Sequence, residues 1–357
     1  MKIDAPLRSA DEVAALVRAG ADELYCGVLE QDRFPAFIPN ARARADCNLA
    51  SFSELERTVA GARQLGVPVI FCANVAQGDI QTEWLKADIL RACEAGVSGV
   101  VIADLALLSW AARRAQGRTI IASTMTAISN SKALDFLARA GARRVVLERL
   151  LTLSEIEAMA AHARAIGLEL EVFVNNQGCL HVNGLCHYHE WFLAKLGPEP
   201  GRAQRVMPCR AALPLKVWAK AGDSYRRTGP QRRQEPSALP RNCRRDVRAL
   251  SEEKKRADHS PAALAFDCYS CAACSLLRLE AAGVAYAKVV HRHFSLARKV
   301  RLVSMMKEYL TLLKKGRIGP GEHISAGRRL FRKHHGRDCL REYCFHREIW
   351  AQRGETA

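Results

Sequence analysis

Seven of the chain's 13 cysteines crowd into one stretch, as Cys179, Cys186, Cys209, Cys243, Cys268, Cys271 and Cys274. Cys179 and Cys186 are separated by six residues in GCLHVNGLCHYH, where Gly178 and Gly184 permit the backbone reversals that let both thiolates face one ion or cluster. Cys268, Cys271 and Cys274 form CYSCAAC, two overlapping CxxC units at the start of a helical pattern, where amide donors and the helix dipole favour thiolate. Thiolate-rich sets select zinc or iron–sulfur, and spacing alone does not decide between them. His187, His189, His291 and His293 flank the same stretch as candidates for binding substrate or handling protons. Cys47, Cys72 and Cys93 read instead as small buried side chains. An odd number of cysteines argues against a disulfide framework. The acidic residues in MKIDAPLRSADE stand where an export signal carries an apolar run, so the chain is expected to be cytoplasmic, with no transmembrane segment.

Something must bring these thiols together, and the first 176 residues show what. One unit repeats there: a short β-branched apolar run, a turn, then an amphipathic stretch closing on glycine. The predicted strands are 2–7, 23–28, 68–75, 99–105, 119–125, 144–150 and 168–175, and YAKVVH at 286–291 supplies an eighth. Intervening stretches such as SFSELERTVAGARQLG and TLSEIEAMAAHARAIG open on a Ser or Thr cap and end on glycine, as helices do. Strands spaced by single helices pair in parallel through right-handed crossovers, and eight of them predict a closed (β/α)₈ TIM-type barrel. The cysteine-rich insertion leaves from the C-terminal end of the seventh strand, the face where such barrels carry their chemistry. The predicted layout is seven βα units over 1–176, the cysteine-rich insertion over 177–284, the last strand and its helix over 285–322, and a basic tail with paired cysteines over 323–357. Polar residues at strand ends face the mouth, which nominates Arg149, Asn175, His291 and Arg292 as catalytic candidates.

Charge is unevenly spread. Residues 1–178 hold 19 Lys and Arg against 21 Asp and Glu, whereas 179–357 hold 35 against 16. A second half this basic attracts polyanions, so RNA or another polyanion is an expected partner. The segment 223–256, with 11 Lys and Arg and few aromatics, reads as an exposed excursion that is either a grip on a polyanion or a loop.

The motifs also carry a resemblance. AGADELYCGV, ASTMTAISNS, RRVVLERLLTLSEI, the GC(x6)C unit, PCR at 208–210 and C(x11)GV(x3)K(x3)R from Cys271 to Arg292 resemble the peptidase U32 (collagenase-like) family over roughly residues 2–315. CLREYC, from Cys339 to Cys344, is similar to a paired-cysteine tail in one branch of that family. The resemblance implies a barrel with a 4Fe–4S cluster held by Cys179, Cys186, Cys209 and Cys271, with Cys268 and Cys274 as alternative fourth ligands. It also implies oxygen-independent hydroxylation of an RNA base or of a ubiquinone-type aromatic precursor, with a family-related partner subunit as a further expectation. Two other readings remain open: a collagenase-like peptidase, and a non-catalytic subunit that carries a cluster. The chain departs from the family pattern at Leu150, where an acidic residue is usual, and at His291, where glycine is usual.

Overall fold

The structure, a computed structural model, describes residues 1–33, 37–42, 44–76, 78–175, 183–184, 271–319, 321–339, 344–346 and 348–351. Its eight strands are β1 Lys2–Pro6, β2 Glu23–Cys26, β3 Val69–Ala73, β4 Gly99–Ile102, β5 Thr119–Ala122, β6 Arg144–Val146, β7 Glu169–Phe173 and β8 Tyr286–Lys288. All pair in parallel in chain order, and β8 closes on β1 through Ile3 opposite Ala287. The predicted closed barrel is therefore present, eighth strand included.

Helices α1 Val13–Ala19, α2 Phe52–Gln64, α3 Asp79–Glu94, α4 Leu105–Arg114, α5 Ser131–Arg139 and α6 Leu153–Ala165 alternate with the strands up to β7. The caps foreseen from sequence are real. Ser51 accepts from the Glu54 amide, and Thr152 and Glu155 form a reciprocal capping box. After the insertion come α7 Leu276–Ala281, α8 Leu296–Lys314, α9 His323–His335 and α10 Glu348–Ala351.

The strands are shorter than predicted. β4 ends at Ile102 and not at Leu105, because the Asp104 side chain accepts from the Leu107 amide at 2.8 Å and starts α4 there. β2 and β6 stop at Cys26 and Val146, yet Val28 and Leu147 stay buried beyond the ladder. Apolar character outlasts strand pairing because the loops at the mouth pack on the same core.

The barrel interior is tiered. Nearer the N-terminal ends lies a charged floor of Asp4, Glu23, Arg144, Glu171 and Lys288. Arg144 bridges Glu23 at 2.5 Å and Glu171 at 3.2 Å, while Lys288 bonds Glu171 at 2.5 Å and also Asp4. Toward the mouth comes an apolar tier of Tyr25, Ile70, Cys72, Val101, Ile121, Val146 and Phe173. The polar mouth lies above it.

Candidate functional site

The long connection from β2 to α2 crosses the mouth and supplies Asn40 and Asn48, both buried. Arg292, just past β8 and only 5% exposed, donates to Asn48 Oδ1 at 2.9 Å and to Asn40 Oδ1 at 2.7 Å. Asn48 is fixed in turn by donating to the Arg42 and Arg44 carbonyls at 2.6 and 2.8 Å. Gly27 makes the packing possible, since a Cβ there would stand 2.5 Å from both the Arg292 guanidinium and Asn48 Oδ1. Among the described residues Arg292 has no carboxylate within ion-pair distance. A buried guanidinium held only by neutral carboxamides keeps most of its field for something else.

On the opposite wall, the ends of β5 and β6 carry Ser123, Thr124, Glu148 and Arg149. Glu148 Oε1 accepts from the Arg149 amide and Oε2 from the Asn183 amide, each at 3.0 Å. The Asn183 carboxamide donates to Thr124 Oγ1 at 3.0 Å and accepts from Arg149. Gly184 follows with φ of 78°, and a Cβ there would overlap the Met125 carbonyl. The middle of the GC(x6)C unit is thus seated on the mouth. Burial raises the Glu148 carboxyl above its ordinary value despite Arg149 and the amides that hold its charged form. Arg42 lies near enough to Arg149 and Arg292 that, after burial, their charges lower its own pKa. Three guanidiniums therefore converge here.

The other nominated residues are also at the mouth. Asn175 is buried, and its carboxamide oxygen accepts from the Val290 amide at 2.9 Å, tying the end of β7 to that of β8. His291 has φ of 76° and stacks on Phe294 at 4.5 Å between ring centroids. His293 lies beside both rings, and burial, with Arg44 and Arg42 close by, lowers its pKa to about 4. It is a neutral imidazole at physiological pH, able to accept a hydrogen bond or a proton. Asn40, Asn48 and Glu148 escaped the sequence reading. The signal that would have found the first two was the length of the β2–α2 connection on the functional face.

Of the nominated thiols, Cys271 and Cys274 are described, whereas Cys179, Cys186, Cys209 and Cys268 lie outside the described residues, as does the basic segment 223–256. Cys271 is buried just past the end of β7, where the Ala272 amide donates to the Val174 carbonyl at 2.8 Å. Cys47 and Cys72 are buried as predicted, and Cys93 is half-buried. Cys47 donates to Asp46, and among the described residues no hydrogen bond joins Cys47 or Cys72 to a histidine, while burial raises both thiols. Neither is set up as a peptidase nucleophile.

Residues 8–349 match the model of peptidase family U32. The chain is 26% identical over 183 residues to tRNA hydroxylation protein P1 of Bacillus subtilis (strain 168), covering 51% of this chain and 40% of that protein. It is 26% identical over 194 residues to a collagenase of Porphyromonas gingivalis (52% and 44%). To the 23S rRNA 5-hydroxycytidine C2501 synthase of Escherichia coli (strain K12) it is 25% identical over 216 residues (60% and 30%). The chain therefore spans less than half the length of these relatives. Among the described residues no helix is long and apolar enough to cross a membrane.

Proposed function

Because the chain belongs to peptidase family U32, we propose that it is a redox enzyme that uses an iron–sulfur cluster to hydroxylate a base of RNA without dioxygen, the oxygen atom and the two-electron oxidation coming from an oxygen-donating co-substrate that is itself reduced. The observation that carries this reading is the buried, carboxylate-free Arg292 at a mouth where Arg42 and Arg149 also converge. Such a group of cations suits an anionic, planar, hydrogen-bonding substrate, as a nucleotide is. A peptide bond, being neutral, gives no reason for it.

In this reading Arg292 takes a phosphate or a base carbonyl, and Asn40 and Asn48 hold the guanidinium at a fixed angle. Neutral His293 stands ready to accept a proton, and Glu148 keeps Asn183 and Arg149 in register. Cys179, Cys186 and Cys209, with a fourth thiolate from the Cys268, Cys271 and Cys274 run, would hold a 4Fe–4S cluster. When bound it supplies electron transfer or Lewis acidity. Support for that placement comes from Asn183 and Gly184: seated on the mouth, they leave Cys186 two residues and Cys179 four residues away along the chain.

The test is the nucleoside composition of RNA from cells with and without the gene. A nucleoside heavier by one oxygen atom should vanish on deletion, return with the intact gene, and return to a lower level with Arg292→Met. An unchanged nucleoside profile beside an altered quinone or peptide pool would overturn the reading.

A further inference from the structure

The tail cysteines play no part in the mouth chemistry, yet the fold delivers them to the CYSCAAC run. Cys344 pairs with Cys271 in a parallel bridge, and the Phe345 amide donates to the Cys271 carbonyl at 3.0 Å. Cys274 lies in the one-turn helix Ala273–Ser275, and Cys339 in the strap that follows α9. None of the four is in a disulfide, and Cys344 Sγ donates to the His346 carbonyl at 3.2 Å. They also share one core. Cys274, Cys339 and Cys344 all pack against the buried cluster that contains Cys271. Thiols withdrawn from water are ready ligands for a cation, which neutralises their thiolate forms.

A second feature makes room for the set. Gly327 sits in the middle of α9, where glycine costs about 0.5–1 kcal/mol relative to alanine. A Cβ there would overlap Cys274 Sγ, which also donates to the Ile324 carbonyl at 3.8 Å. The helix gives up stability at the one face that meets the thiol.

We propose that Cys271, Cys274, Cys339 and Cys344 form a tetrathiolate metal centre, separate from the mouth cluster, which fastens the C-terminal segment across the barrel mouth. The pairing of a CxxC with a CxxxxC offers two short loops to one centre, and four thiolates select zinc or an iron–sulfur cluster. What the centre fastens matters for the mouth. Phe345 packs on the apolar tier inside the barrel, His346 Nδ1 meets Ser275 Oγ at 2.9 Å, and Glu348 accepts from the Leu153 amide at 2.6 Å. Cys271 then serves the tail centre, and the fourth ligand of the mouth cluster falls to Cys268.

The experiment is metal analysis of the full chain purified without oxygen, for zinc and for iron, alongside limited proteolysis of the C-terminal segment. The double variant Cys339→Ser/Cys344→Ser should lose one metal centre and expose the tail to cleavage while keeping the rest of the metal. Cys179→Ser/Cys186→Ser should do the reverse, keeping the tail metal and its protection. Gly327→Ala, which removes no ligand and favours the helix, should lower tail metal specifically and guards against misfolding as the explanation. If the protein holds only one centre, lost with the tail pair and untouched by the Cys179/Cys186 pair, the tail site stands and the mouth cluster fails. The proposal is overturned if the tail double variant keeps all the metal of the parent, or if the Cys179/Cys186 variant loses every metal.

Discussion

His291 shows how much one residue can hide. Its φ of 76° is a left-handed conformation that glycine adopts freely and other residues adopt at a cost of order 1 kcal/mol. Glycine is the residue the family resemblance leads one to expect there. His291→Gly should therefore be more stable than His291→Ala by about 1 kcal/mol in urea denaturation, since both lose the ring contacts and only alanine keeps the strain. Equal stabilities would show that the backbone is not strained. Beside it, Arg292→Met removes the cation proposed to meet the substrate, a charge-assisted contact worth about 1.5–3 kcal/mol, so kcat/KM should fall roughly 10- to 100-fold. A variant of full activity would remove Arg292 from the site. The sequence named both residues because strand ends face the mouth. It could not show the sign of φ, nor that Arg292 would meet carboxamides 244 and 252 residues distant.

The strands were legible because β-branched runs and capped helices alternate, and local signals of this kind need no tertiary knowledge. The floor of the barrel was not. Asp4, Glu23, Arg144 and Glu171 look like solvent-facing residues of alternating strands, but both faces of a barrel strand are buried, so they face one another. The outcome is a balanced set. Burial raises the Asp4 carboxyl well above its ordinary value, whereas Lys288 and Arg144 outweigh burial and hold Glu171 below its own. Lys288→Met leaves the carboxylates without their cation and should cost about 3–5 kcal/mol. Asp4→Asn keeps the shape of a group whose charged form burial disfavours and should cost about 1 kcal/mol or less. The pH dependence separates them further. Unfolded chains release the Asp4 proton near pH 3.9, but the folded protein retains it to higher pH, so its contribution to stability declines as pH rises through that interval. Glu171 acts in the opposite sense, its contribution being lost as pH falls. Denaturation from pH 4 to 8 should show a smaller decline in Asp4→Asn than in the parent, and identical slopes would mean that Asp4 is ionised in the fold.

At the scale of the whole molecule the charge asymmetry asks for a partner. The excess of 35 basic over 16 acidic residues in 179–357 includes the doublets Arg226/Arg227, Arg232/Arg233 and Arg244/Arg245 and the run Lys254–Arg256. The described part of this half adds Arg298 and Arg301 on α8 and Arg328, Arg329, Arg332 and Lys333 on α9. Some of that charge is spent internally: Lys333 bonds Glu308 at 2.7 Å, and Arg278 bonds Glu157. The 11 basic residues of 223–256 are the larger reserve, and an RNA substrate gives them a role that a small quinone does not. Each phosphate they neutralise releases counterions, which for single-stranded RNA adds about 0.7 to the magnitude of the slope of log K against log salt. Deleting 223–256 should weaken binding and, if only three contacts go, reduce that slope by about 2. The same deletion spares Cys179, Cys186, Cys209, Cys268 and Cys271, so visible absorbance and iron content should not change. Loss of affinity with retention of the metal assigns the segment to RNA alone. An unchanged slope, or an intact protein that ignores RNA at physiological salt, would leave the cationic mouth to a small anionic substrate.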